Sequence, residues 1–283
     1  MMSAVTQQKL DATEARIAAM TLPASGPWLA EAREAALARV RASGLPGRRD
    51  EYWKYTRPDT LVQSDAPTAS VFASDEEPVF GSVDRLKVVF VDGVFRADLS
   101  DPLEAEGLSI ERLADVAETD IHWAKDLYGV LETNGQNPVQ RPLAALNTAF
   151  ATDGIVIRVT QKVSRPVSLI YVHEDEASDA ILHHVIKVEE GADLTLLENG
   201  PAAARFSKVL EVDVADKAGF HHVRAQGRDH ERRAVTHIFG RLGTESTFKS
   251  FTLTVNGQMT RNEAVLELTG ADAIAHVAGA CLG

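Results

Sequence analysis

The side chains here that could do chemistry are scattered rather than clustered. Histidines occur as two adjacent pairs, His183–His184 and His221–His222, with His173, His237 and His276 as single candidates. Neutral imidazole is a good ligand for transition metals. Both pairs sit in short alternating apolar runs that read as strands, and neighbours on a strand point to opposite faces. Neither pair can therefore hold one ion with both rings. No spacing matches a helical zinc motif, so these are read as surface or hydrogen-bonded histidines and no metal site is assigned. The densest carboxylate stretch is EDEASD, Glu174 to Asp179. Paired acids on one face can cleave sugars by general acid–base chemistry, but this composition favours a solvated acidic loop. Nothing matches G-x-x-x-x-G-K-[ST], so ATP hydrolysis would have to belong to a partner. EYWKYT, Glu51 to Thr56, places Trp53 and Tyr55 two apart, on one side if extended. The reading is an aromatic anchor packing a helical region onto the first strands, since rings bury large areas. No catalytic residue is assigned, and residues that would bind a cofactor are left open.

The elements that position these residues follow from size and pattern. The chain has 283 residues, enough for one large domain or two ordinary ones. With 45% hydrophobic and 25% charged residues it has the mix of a globular protein. A formal net charge of −12 argues against nucleic acid as the main partner. The basic stretches GRRDEYWKYTR and RDHERR lie among carboxylates and read as solvated faces. Cys281 is the only cysteine, so no intrachain disulfide can form, which fits a reducing compartment. The start lacks a signal-peptide core and no apolar run approaches ~18 residues, so a cytoplasmic, membrane-free protein is expected.

Residues 1–78 read as a helical region and a linker. DATEARIAAM and SGPWLAEAREAALARVRASGLPG carry the helices, the second with Ser25 as N-cap and Gly44 with Pro46 as a stop. Gln63 to Glu77 is the linker. Residues 79–153 read as a hairpin turning at Asp92–Gly93, then short helices. SIERLADVAE would be capped by Ser109, TDIHWAKDLYGVLE by Thr119 or Asp120, and RPLAALNTAFATDG carries Pro142 in its first turn. From residue 154 to 283 ten short alternating runs follow, IVIRV to AIAHVAG. Turn glycines Gly191, Gly219, Gly243 and Gly270 are 28, 24 and 27 residues apart. A period in the twenties marks stacked coils with one strand-rich turn per repeat. An antiparallel sandwich would also give many short strands, and the period tips the reading toward coils.

EYWKYT, LNTAFATDGIVIRV (Leu146 to Val159), VEEGADLTLLE (Val188 to Glu198) and TRNEAVLELTGADAIAHVAG (Thr260 to Gly279) resemble, in order and across most of the chain, the SufB/SufD family of iron–sulfur cluster assembly scaffolds. The short helical N-terminus and EYWKYT are more similar to the SufD branch. The resemblance implies a right-handed parallel β-helix between helical termini. It implies a non-catalytic subunit of a cytosolic complex containing a SufB-like paralogue and a SufC-like ATPase. In the family, the counterpart of AHVAGACLG runs on into further coils and a helical tail that serve pairing and ATPase docking, so a β-helix incomplete at its C-terminal end is expected here. An open edge of this kind invites another chain, and self-association in isolation is expected.

An iron–sulfur cluster is held chiefly by thiolates, commonly about four. Cys281 alone could supply one ligand at a shared surface, and its simpler reading is a small apolar residue on the inner face of a strand. No cofactor is expected to be held by this chain alone. The cluster, and the reduced flavin the resemblance implies, are expected at the level of the full complex. The rival readings are a β-helix carbohydrate-active enzyme using paired carboxylates and a hexapeptide-coil acyltransferase. The strands after Gly154 keep no six-residue repeat.

Overall fold

The computed structural model describes residues 4–71, 79–200, 202–227 and 229–283. The first three residues, and the part of the expected linker at 72–78, lie outside the described residues. Helices α1 (Ala4–Ala18), α2 (Pro27–Ser43) and α3 (Asp59–Val62) precede β1 (Leu86–Val91), β2 (Val94–Phe95), β3 (Glu104–Ala105) and β4 (Leu108–Arg112). Then come α4 (Leu113–Val116), α5 (Val130–Asn134) and α6 (Pro142–Phe150). The rest is β: β5 (Ile155–Val159), β6 (Val167–Val172), β7 (Asp179–Val188), β8 (Asp193–Gly200), β9 (Arg205–Val214), β10 (Gly219–Gln226), β11 (Arg233–Leu242), β12 (Thr247–Val255), β13 (Met259–Leu268) and β14 (Ile274–Leu282).

The strands form two seven-stranded sheets, ordered β14-β12-β10-β8-β6-β1-β2 and β13-β11-β9-β7-β5-β4-β3. Successive strands alternate between sheets, and from β5 onward every pairing between them is parallel. This is a β-solenoid preceded by a helical region, as the resemblance implied. Register sets its pitch. Asp193, Gly219, Thr247 and Ile274 stand side by side, 26, 28 and 27 residues apart. The column starts earlier than residue 154, because β1 pairs in parallel with β6.

The repeating turn is not marked by glycine. The left-handed position of each coil is occupied by Gly191, Lys217, Glu245 and Asp272, with φ of 69°, 59°, 56° and 57°. These are spaced like the strands, whereas Gly219, Gly243 and Gly270 occupy other places in their turns, which explains the uneven glycine intervals. The Asp92–Gly93 hairpin is as expected, with both residues at positive φ and Val91 opposite Val94.

Two helical expectations are corrected. Ser109 lies in β4, because Ile110 alternates inward against Ile157 and the segment pairs with β5; only Leu113–Val116 turns helical. The helical turn at Trp123–Asp126 is capped by His122, whose Nδ1 accepts from the Ala124 amide, and not by Thr119 or Asp120. The N-cap of α2 is Gly26 rather than Ser25. α6 begins at Pro142, and all of its residues are buried between α2 and the outer face of the β7–β9–β11 sheet.

Core packing follows the strand alternation. Leu86, Val88, Phe90, Leu169, Leu194, Leu196, Phe206, Phe220 and Phe248 fill the interior between the sheets. A second cluster, built on Ala36, Val40, Trp53, Leu146 and Phe150, cements the helices to the outside.

A non-glycine residue held at left-handed φ costs about 1 kcal/mol. Glu245→Gly should therefore raise stability by about 1 kcal/mol in urea denaturation, and Gly191→Ala, which meets no steric obstacle, should lower it by about the same amount. No difference at either position would mean these turns lack the described backbone.

Candidate functional site

Strand alternation separates the histidine pairs. His184 points into the solenoid, where its ring lies 3.0 Å from the Tyr171 hydroxyl. His183 points out beneath the helices, 3.0 Å from Glu211 and stacked on Tyr128 at 4.1 Å between centroids. His222 is inward and fully buried, while His221 is half-exposed beside Asp193 at 3.4 Å. His173 is buried 3.5 Å from Asp229, His237 is buried on the outer side of β11, and His276 is exposed. No three of the His, Cys, Asp and Glu residues among the described residues group as metal ligands.

The acidic stretch is a solvated loop at Glu174–Glu176, with Asp179 drawn between Arg16 and Arg205 at 2.6 Å from each. Trp53 and Tyr55 do not share a side. Glu51–Trp53 is a 3₁₀ turn, so Trp53 is buried under the Arg261 guanidinium at 4.2 Å and Tyr55 is 92% exposed. Trp53 is an anchor, but it fastens the helices to β13 of the last coil instead of the first. Cys281 is exposed at the mouth of a cavity between the last coils.

The most unusual chemistry lies inside the solenoid. In-register stacking lines up Leu169, Glu198, Arg224 and Thr252 across one sheet. Beside them run Leu196, His222 and Ser250, and across the interior Leu182, Lys208, Thr236 and Asn262. Each row begins apolar and turns polar.

Glu198 is the hub. Its carboxylate accepts from Lys208 Nζ at 2.6 Å, from His222 Nε2 at 2.8 Å and from the Tyr171 hydroxyl at 3.0 Å. The proton positions are mutually consistent. Tyr171 donates to Glu198, so His184 Nε2–H donates to the Tyr171 oxygen and its Nδ1 accepts from the Ile155 amide at 3.1 Å. His222 donates through Nε2, and its Nδ1 accepts from Ser250 at 2.8 Å.

Charge follows from burial. Burial pushes His184 down to about 3, with the Lys208 charge acting in the same direction, so this ring is neutral. Burial would raise Glu198, but the Lys208 ammonium outweighs it and, with His222 and Arg224, holds the carboxyl well below the usual range. Burial lowers Lys208 to about 8 against the pull of Glu198. Burial and the Glu198 charge push the Tyr171 phenol well above its ordinary value. The result is a buried ion pair with its lone pairs satisfied, which fixes coil against coil.

One coil further on, polar side chains line a cavity of about 570 Å³. Arg224 Nη1 donates to Thr236 at 2.7 Å, which donates to Asn262 at 2.7 Å. Gln226 Oε1 accepts from Thr254 and Asn262 at 2.6 and 2.9 Å.

A second buried cluster fastens the helices. Glu211 projects from β9 and accepts from the amides of Gly129 and Glu132 at 2.6 and 2.7 Å, capping the first turn of α5. Glu132 is itself fully buried, held by Arg39, Gln136 and Thr148. Burial raises its carboxyl to about 7 despite Arg39.

Sequence reading missed Glu198, Lys208, Arg224, Glu211 and Glu132. A signal existed for the first three. Each is a charge at an inward position of its strand, as in Leu194–Leu196–Glu198 and Phe206–Lys208–Leu210.

Profiles of two family regions match the chain. One is described as the SufBD protein N-terminal region and spans residues 14–169; the other is the SUF system FeS cluster assembly, SufBD core domain, spanning residues 171–283. The iron–sulfur cluster assembly protein SufD of Escherichia coli (strain K12) is 22% identical over 256 residues, covering 83% of this chain and 55% of that protein. The chain thus spans about half the length of the curated relative it matches.

Glu198→Gln strands the Lys208 charge in the interior and should cost about 3–5 kcal/mol in urea denaturation. Replacing both with apolar residues, Glu198→Leu with Lys208→Met, should restore most of that loss, and a double as unstable as the single would contradict the pairing. Glu132 gives a pH dependence. Its folded value near 7 exceeds the ordinary 4.5, so its stabilising contribution is complete below about pH 4.5 and is lost as pH rises toward 7. Relative to Glu132→Gln, the native protein should lose about 3 kcal/mol across that window. Parallel stability profiles would contradict the burial described.

Proposed function

We propose that this chain, which belongs to the SufB/SufD family of SUF-system iron–sulfur cluster assembly proteins and is SufD-like within it, serves as a non-catalytic scaffold subunit of the cytoplasmic assembly complex. The family match over both halves of the chain supports the assembly role. The structural observation that carries the scaffold reading is the in-register parallel column. Its strands β13 and β14 are each paired on one side among the described residues and offer their other backbone edge. Such an edge accepts another strand through main-chain hydrogen bonds. A SufB-like paralogue with the same coil pitch is the partner that fits, with a SufC-like ATPase docking on the pair.

The exposed apolar side chains of the last coils, Phe251, Leu268, Ile274, Val277 and Leu282, suit burial against such a partner. Without one, self-association through the same strands is the expected behaviour. No helix among the described residues is long and apolar enough to cross a membrane, which accords with the proposed location.

The cluster is the cargo of this assembly. Cys281, the single thiol, could supply one ligand to a cluster shared with a partner. A reduced flavin also belongs to the assembled complex in this reading. The cavity beside Cys281 is lined by hydroxyls and guanidinium groups and has no aromatic face for an isoalloxazine ring, so it does not fit that group.

Affinity-tagged protein expressed from its own gene at native level should co-purify with both a SufB-like and a SufC-like protein. Recovery of neither by the full-length gene product would overturn the proposal.

A further inference from the structure

The interior of the last coils carries one more positive charge than its carboxylates balance. Glu198 is committed to Lys208, and Lys208 retains its proton at neutral pH. Burial lowers His222 below its ordinary value, so it adds no charge there. Arg224, 4% exposed, stands on the same row as Glu198 and Thr252. Among the described residues it forms a side-chain hydrogen bond to the neutral Thr236, and no described carboxylate pairs with it.

The other charges at the cavity are already engaged. Arg261 donates to Glu263 at 2.6 Å and lies over Trp53, and Glu263 also receives Arg141 at 2.8 Å. A guanidinium removed from water without a counter-charge is costly, and a site that tolerates one is built for an anion.

The lining supplies what an anion needs. Ser250, Thr252, Thr254 and Thr260 place hydroxyl groups around the cavity of about 570 Å³ into which Arg224 opens. A second observation points the same way. Gln226 is 4% exposed, and its carboxamide oxygen is taken by the lining residues Thr254 and Asn262, yet its Nε2 has no hydrogen-bond partner. Buried donors of this kind are normally satisfied, and each exception calls for a missing acceptor. Guanidinium, hydroxyl and amide donors disposed around one space match an acceptor with several oxygens.

We propose that this cavity is a binding site for a small tetrahedral oxyanion of the sulfate or phosphate class, with Arg224 as its charge partner and the threonine hydroxyls and Gln226 amide completing its shell. The site stands apart from the scaffold role, since it needs no partner chain.

Cys281 lines the same cavity and is the chain's sole thiol, so it reports occupancy directly. In the 283-residue chain, sodium sulfate should slow the reaction of Cys281 with the neutral reagent N-ethylmaleimide saturably and at least fivefold. Sodium chloride at matched ionic strength should not, and acetate, with one carboxylate to offer, should need at least tenfold more anion. Inorganic phosphate should give the same stoichiometry by calorimetry. Arg224→Gln should raise the sulfate concentration for half-protection at least tenfold, with Arg224→Lys falling between. If Arg224→Gln fails to fold by circular dichroism, Thr252→Val supplies the same comparison. Equal protection by chloride or acetate would overturn the proposal, as would a folded Arg224→Gln or Thr252→Val variant that titrates like the native chain.

Discussion

Everything in this molecule depends on parallel strands stacking in register at an interval of 26 to 28 residues. Register converts distant sequence positions into vertical neighbours about 4.8 Å apart. An inward position is therefore never isolated. What stands there must suit the residues one coil above and below, which is why valine, leucine and phenylalanine fill one side of the interior. The same rule makes a buried charge tolerable. Glu198 survives in the interior because the strands of neighbouring coils and the facing sheet bring Tyr171, Lys208 and His222 within hydrogen-bond distance. Replace the register and the network has no other way to form.

The outer faces divide the labour. One sheet is roofed by α2, α5 and α6, and the roof is held by more than apolar contact. Glu211 reaches out of β9 to cap α5, Arg33 bonds the Ala151 carbonyl, and Arg205 ties the segment at residues 60–65 to Asp179. The other sheet faces solvent, with Lys249 and Phe251 exposed on β12. A rigid column roofed on one side and open on the other, with extendable strand edges, suits a protein whose work is to hold partners in place.

Much of this was legible from residue order. All ten strands after Gly154 coincide with alternating runs, because a strand half-buried in a solenoid shows period two whatever its neighbours do. Stacking was readable from the spacing of turns, although the left-handed residue that sets it is a lysine, a glutamate or an aspartate as readily as a glycine. Ser109 misled because LSIER is too short to distinguish one strand edge from a helical turn, and pairing with β5 decided it. The buried polar sites were harder. Glu198 and Lys208 read as ordinary charged positions until register set them against each other. Glu132 lies on a short helix whose packing no local pattern reveals. The histidine pairs were divided correctly by alternation, but their partners come from elements up to 28 residues away and could not be named.

In-register parallel stacking can be tested by engineered crosslinking in a Cys281→Ser background. His221 and Lys249 are register partners on the solvent face of adjacent coils, which places their Cα atoms about 4.8 Å apart, within the disulfide range of roughly 4.4–6.8 Å. Cysteines at 221 and 249 should form an intramolecular disulfide under mild oxidation, whereas cysteines at 221 and 250, slipped by one residue onto opposite faces, should not. Efficient crosslinking of the slipped pair, with none for the aligned pair, would contradict the register from which the interior network, the open edges and the scaffold role all follow.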